Sequence, residues 1–189
     1  MGREVRATRV IPGPIDEVWA VFTDWAGWTD WMGLGKVHVD YTTPEVGQAR
    51  LAEKCPNGVG AIRVISVAGT NTFEEITLFE APRRVEYRVI KGGLPMKDHR
   101  GFTTFEPEAG GTHTRVTWWA TFGSKWPGMT WAWASIAGMV FRGGLKKLDK
   151  VFKKKKKTGS QTATAVPVPA VPGDDDRPGG GANRAATSQ

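Results

Sequence analysis

The chain has 189 residues, 40% of them hydrophobic and 24% charged, with a formal net charge of +7. A lone cysteine, Cys55, excludes an internal disulfide framework and fits a reducing compartment. The excess charge is confined to one segment. Residues 1–141 balance acids against bases, whereas 142–157 carry Arg142, Lys146, Lys147, Lys150 and Lys153 to Lys157 against Asp149 alone. A specific nucleic-acid partner is therefore not expected, because that reading wants a basic face on the folded domain. The opening MGREVRATRV lacks the apolar core of a signal peptide, Arg3 and Arg6 do not suit myristoylation, and no apolar run reaches about 18 residues. The expected location is cytoplasmic, with peripheral contact at a membrane as the alternative. From Thr158 the chain is Pro, Gly, Ala, Thr and Ser without an aromatic residue, a composition that cannot bury enough surface to order itself. The expected organisation is one folded domain over 1–152, then a lysine-rich and Pro/Ala/Gly-rich disordered tail over 153–189.

In chain order, residues 3–11 alternate as a strand with Val5, Ala7 and one of Val10 or Ile11 inward. Pro12-Gly13-Pro14 ends it. Ile15 to Thr23 reads as a short helix with Pro14 near its start and Asp16 and Glu17 in its first turn, where acids suit the dipole. Asp24 to Trp31 reads as a second one, with Trp25, Trp28 and Trp31 on one side as core anchors or an aromatic ligand wall. Strands are expected at 36–41, 47–54, 61–67, 72–79, 83–90, 98–106 and 112–122, joined by short hairpin turns into an antiparallel meander.

Trp126 to Lys157 reads as one long helix. Gly128 to Phe152 alone would span roughly 37 Å. Trp133, Ile136, Ala137, Val140, Phe141, Leu145, Leu148, Val151 and Phe152 recur at steps of three and four, so they form its inward stripe. Arg142, Lys146, Asp149 and Lys150 are expected on the solvent side. Trp131 and Met139 point away from the stripe, so the first half is apolar nearly all round and is expected to cover a cavity. Gly143-Gly144 costs about 1 kcal/mol per glycine relative to alanine, which predicts a bend or local break there. The order of elements gives an α+β layer fold, a curved antiparallel sheet gripping one long helix.

Several stretches taken together resemble a known family. They are ATRVIPGPIDEVWAVFTD (7–24), Trp28-Thr29-Asp30-Trp31, GVGAIRVI (58–65), ITLFEAPRRVEYRVI (76–90), DHRGFTTFEPE (98–108) and GTHTRVTWWATF (111–122). In this order they resemble the START-related helix-grip (SRPBCC) superfamily, specifically its bacterial polyketide cyclase/dehydrase-like members, over roughly residues 3–152. The resemblance implies an apolar cavity between sheet and helix and the binding of lipids, polyketides or other hydrophobic molecules. It implies no shared catalytic set.

No P-loop, G-x-S-x-G, H-E-x-x-H or paired C-x-x-C motif is present, and Cys55, His38 and His99 are too scattered for a metal site, so no cofactor or metal is assigned. His113 beside Gly110-Gly111 reads as exposed. By alternation the cavity walls are Val85, Tyr87, Val89, His99, Thr103, Phe105, Val116 and Trp118 from the sheet. From the helix they are Trp133, Ile136, Ala137, Val140 and Phe141. Trp126, Met129, Trp131 and Trp133 are expected at the mouth. A small apolar pocket with a few polar groups to orient its ligand favours binding or transport of a hydrophobic small molecule, lipid or polyketide-like. One alternative is a polyketide cyclase or dehydratase with His99 as acid/base and Tyr87 as donor. The other is a membrane-surface lipid-handling protein that docks on anionic lipid through Lys146, Lys147, Lys150 and Lys153, Lys154, Lys155, Lys156 and Lys157. The solid-core and solvated-helix-end readings stand beside these, and the oligomeric state is open.

Overall fold

The computed structural model describes residues 2–40 and 57–162, with side chains through Thr158. The expected strand at 47–54, Cys55 and most of the expected tail lie outside the described residues. The elements are β1 (Arg3–Ile11), α1 (Ile15–Thr23), α2 (Trp28–Trp31), β2 (Lys36–Asp40), β3 (Ile62–Val67), β4 (Thr70–Glu80), β5 (Arg84–Gly92), β6 (Met96–Glu108), β7 (His113–Ser124) and α3 (Thr130–Thr162). The sheet order is β1-β7-β6-β5-β4-β3-β2, antiparallel throughout. Strands β2 to β7 form a meander, and β1 closes it by pairing with β7, Ala7 opposite Trp118. The result is the expected curved sheet gripping the long C-terminal helix.

Local chemistry explains the elements. Pro14 caps α1 in an extended conformation, and Asp16 and Glu17 occupy its first turn. Val18, Trp19 and Phe22 bury their shared face against the sheet. The turn between β3 and β4 has only two residues, Ala68 and Gly69, both with positive φ (48° and 79°), the backbone that matches the strands' own twist. Along β7, Thr114, Val116, Trp118, Ala120 and Phe122 are all buried, as their alternation requires.

Helix α3 departs from expectation at both ends and in the middle. It starts at Thr130, because Gly128 takes φ +72° and cannot belong to a right-handed helix. It continues through the lysine run to Thr162. It also runs unbroken past Gly143-Gly144. A side chain at Gly144 would press on Met32 Cε and the Trp118 ring (2.9 and 3.0 Å), so this glycine serves close packing rather than a hinge. Asp149 is buried, not solvent-facing. It accepts hydrogen bonds from Arg9 Nη2 (2.7 Å) and Nε (3.1 Å) on β1 and from Lys153 Nζ (3.0 Å). Burial alone would raise its carboxyl pKa, but the Lys153 and Arg9 donors hold it below the usual carboxylate value. Because the folded value is depressed, this clamp contributes above about pH 4 and is lost as pH falls through the folded pKa.

The helix packs on β1 and β7, one side of the curved sheet. Leu145, Leu148 and Phe152 are buried there. The other side, β3 to β5, curls away from the N-terminal half of α3. That difference leaves a space between sheet and helix.

Candidate functional site: an apolar cavity with a charged floor

The space is a cavity of about 460 Å³. Helix α3 supplies Ile136, Ala137, Val140 and Phe141 to it, as the stripe predicts, and the sheet supplies Tyr87, Val89, His99 and Trp118. Five expected wall residues are elsewhere. Val85, Thr103, Phe105 and Val116 are fully buried in the solid core under α1, and Trp133 packs against Trp126 and donates from Nε1 to Ser124 Oγ (3.2 Å). The reason is that one inward face of a long strand meets two covers, α1 at one end and the cavity at the other. Alternation reports the face and not the position along it. The mouth also differs. Trp126 lines a separate recess with Lys97, Asp98 and Thr121, and exposed Val67, Thr70 and Ile136 frame the opening instead.

The tryptophan cluster at 25–31 anchors the core and walls the cavity at once. Trp28 is buried, donates from Nε1 to the Phe22 carbonyl (2.7 Å), meets Trp25, Phe22 and Trp118 edge-on, and lines the cavity. Trp25 donates from Nε1 to the Asn57 carbonyl (2.9 Å). Thr29 Oγ1 ties α2 to Val37 of β2 through the backbone N–H and C=O (2.8 and 3.1 Å). Lys147 reaches across from α3 to donate to the Met32 carbonyl (2.6 Å), so this lysine fastens the cap to the helix.

Sequence reasoning missed the floor. Arg63 of β3 and Glu74 of β4 are cross-strand partners facing the cavity. Arg63 is 1% exposed and donates from Nε to Glu74 Oε2 at 2.5 Å. Its guanidinium carbon lies 4.6, 4.4 and 4.2 Å from the ring centres of Trp25, Trp28 and Tyr87. A desolvated guanidinium so enclosed gains about 2 kcal/mol or more from the ring quadrupoles, beyond its ion pair. Arg63 Nη1 is buried and has no hydrogen-bond partner. Tyr87 Oη accepts from Trp118 Nε1 (2.8 Å). Its ring lies over Gly101 of β6, where any Cβ would overlap it. Burial, with Glu74 adding, pushes the Tyr87 phenol well above its usual pKa, so it is a neutral hydroxyl at physiological pH.

His99 reaches the cavity through a β-bulge. Asp98 takes φ +50°, and the register with β7 slips between Lys97 and Arg100. The His99 ring stacks on Phe122 (6.1 Å, 15°) and lies 5.7 Å from Tyr87, and its Nδ1 is buried without a partner. Burial lowers its pKa below the ordinary histidine value, with Glu74 opposing and Arg63 assisting. The unfolded chain thus takes up a proton below about pH 6.5 that the folded chain refuses, so folding stability declines as pH falls through that range. His99→Phe is expected to flatten this decline, by at most about 1.4 kcal/mol per pH unit, measured as urea-denaturation stability at several pH values between 7.5 and 5.

Chemically, the site offers a neutral imidazole, a neutral phenol and an internally neutralised ion pair. Among the described residues, no group of three or more His, Cys, Asp or Glu side chains could hold a metal, and no helix is long and apolar enough to cross a membrane.

No curated protein matches the chain in sequence. Solved structures with the same fold include the protein XoxI from Bacillus cereus, at 15% identity and TM-score 0.65, covering 81% of this chain and 97% of that one. A START superfamily protein from Mycobacterium smegmatis aligns at 11% identity and TM-score 0.60, covering 80% and 97%. Norcoclaurine synthase from Thalictrum flavum, in complex with dopamine and hydroxybenzaldehyde, aligns at 12% identity and TM-score 0.60, covering 82% and 88%. At these identities the likeness is one of fold. The model of the family described as polyketide cyclase/dehydrase and lipid transport matches residues 2–153, and the chain belongs to that family.

Proposed function

We propose that this protein binds or carries a hydrophobic small molecule, lipid or polyketide-like, in the cavity between α3 and β3–β5. The observation that carries this reading is the 460 Å³ space itself, walled by Ile136, Val140, Phe141, Leu94 and Met96 and floored by polar groups. Apolar walls with few oriented polar groups are the usual form of a small-molecule site. Binding is favoured over catalysis because the floor groups are largely engaged with one another: Glu74 with Arg63 and Tyr87 with Trp118. His99 is left as a lone acid–base group. Ala137 faces the cavity from α3, so Ala137→Trp fills it from a rigid helix. A ligand at one hundred times its Kd is expected to stabilise the wild type by about 2.7 kcal/mol, raising Tm by several degrees. Ala137→Trp should fold yet lose that shift. Equal shifts in both proteins would overturn the reading.

A second reading, docking on an anionic membrane, draws on the outer face of α3. Trp131, Ser135, Met139, Arg142, Lys146 and Lys150 recur there at steps of four and three, all exposed, and the stripe continues into Lys153 and Lys157. Tryptophan beside basic residues suits a bilayer interface. Lys153 is held by Asp149, so the basic half begins at Arg142 rather than in the terminal run alone. Trp131→Ser with Met139→Ser is expected to weaken co-sedimentation with phosphatidylglycerol vesicles several-fold, and added salt should weaken it further. Binding to phosphatidylcholine vesicles at equal strength would count against a charge-dependent surface.

A further inference from the structure

The polar floor carries information about what the ligand's head must be. Arg63 Nη1 and His99 Nδ1 are both buried, both belong to residues lining the cavity, and both lack a hydrogen-bond partner in the protein. Buried polar nitrogens without partners are uncommon, and leaving one unmet costs free energy that a ligand oxygen can recover. The charge at this floor is already balanced, because Glu74 lies 2.5 Å from the guanidinium. His99 adds no positive charge, since burial keeps its ring neutral. A carboxylate brought here would meet Glu74 as well as Arg63. It would also forfeit its own hydration in an apolar chamber, a loss that only an unshared cation repays.

On the reading that the cavity binds a hydrophobic molecule, we propose that the site selects an uncharged oxygen-bearing head, a ketone, quinone or phenol carried on an apolar body, over a free carboxylic acid of the same skeleton. The head oxygen accepts from Arg63 Nη1, with the His99 edge beside it. The body extends between Val89, Leu94, Ile136 and Val140 toward the opening at Val67. The Trp28 and Trp118 rings beside the floor favour an aromatic body at that end.

The test compares three ligands on one skeleton with the full-length protein at pH 8: 2-acetonaphthone, 2-naphthoic acid and 2-ethylnaphthalene, by calorimetry or tryptophan fluorescence. The ketone is expected to bind about tenfold or more tighter than the hydrocarbon, the effect of one hydrogen bond to a charged donor. The naphthoate should bind no better than the hydrocarbon. Glu74→Gln, which leaves the Arg63 charge unshared, should shift preference toward the naphthoate. Naphthoate binding as tight as the ketone, or equal binding of all three, overturns the head-group proposal while the cavity reading stands. Binding of none of the three overturns both. The wild-type comparison decides the matter even if the variant is poorly folded.

Discussion

Glu74→Ala is expected to destabilise the protein by about 3–5 kcal/mol, a large part of a typical domain's stability. The loss comes from what remains rather than from what is removed. Arg63 is 1% exposed, so bulk water does little to screen its charge. Without Glu74 its charge is compensated only by the faces of Trp25, Trp28 and Tyr87. Removing the charge as well should restore most of the stability, because well-packed apolar replacements of a buried pair are often neutral or stabilising. Urea denaturation of Glu74→Ala and of Glu74→Ala/Arg63→Met measures both effects. A single variant as stable as the wild type would mean that the pair is solvated, and the closed floor would then be wrong. Recovery of stability in the double variant without recovery of ketone binding would show that the pair serves the ligand rather than the fold.

Trp118→Ala should cost a comparable 3–5 kcal/mol, the range for deleting a fully buried large aromatic side chain. Trp118 links three layers. It stacks on Phe141 of α3 (4.5 Å, 19°), meets Phe22 of α1 and Trp28 of α2 edge-on, and hydrogen-bonds Tyr87 of β5. Gly144 of α3 packs directly against it. The substitution also enlarges the cavity, since Trp118 is one of its walls. A bulkier ligand should then recover part of the lost stability by filling the new space, a response that a solid-core residue such as Phe105 would not give. Calorimetric Tm with and without ligand separates the two.

Much of this architecture could be read from residue order. The 3.6-residue stripe of α3 and the strict alternation of β7 are long, regular signals, and each identified its inward residues. Asp149 is expected on the solvent side from helical spacing, and only the three-dimensional pairing with Arg9 of β1 draws it in. The unbroken passage of Gly143-Gly144 has the same origin: tertiary packing of Gly144 on Met32 and Trp118 outweighs the intrinsic cost of glycine.

The site was half legible. Tyr87, Val89, His99 and Trp118 followed from strand parity, and Ile136 to Phe141 from helical spacing. Val85, Thr103, Phe105 and Val116 followed from the same parity but fall under α1, because parity does not say which cover a strand meets along its length. Arg63 and Glu74, taken singly, read as ordinary strand residues. Their signal was present in the hairpin. Ala68-Gly69 as a two-residue turn puts Val67 opposite Thr70, and counting back by pairs brings Arg63 opposite Glu74. Opposite charges on the cavity-facing parity of adjacent strands mark a buried pair more specifically than any single histidine does.

On the proposed function, the space between α3 and β3–β5 holds a hydrophobic small molecule. Native mass spectrometry of the intact protein, incubated with 2-acetonaphthone and then freed of excess ligand, tests it most directly. The wild type should retain one ligand per chain, and Ala137→Trp should fly at the bare polypeptide mass. A wild-type spectrum showing only bare polypeptide, or equal retention by both proteins, would contradict it.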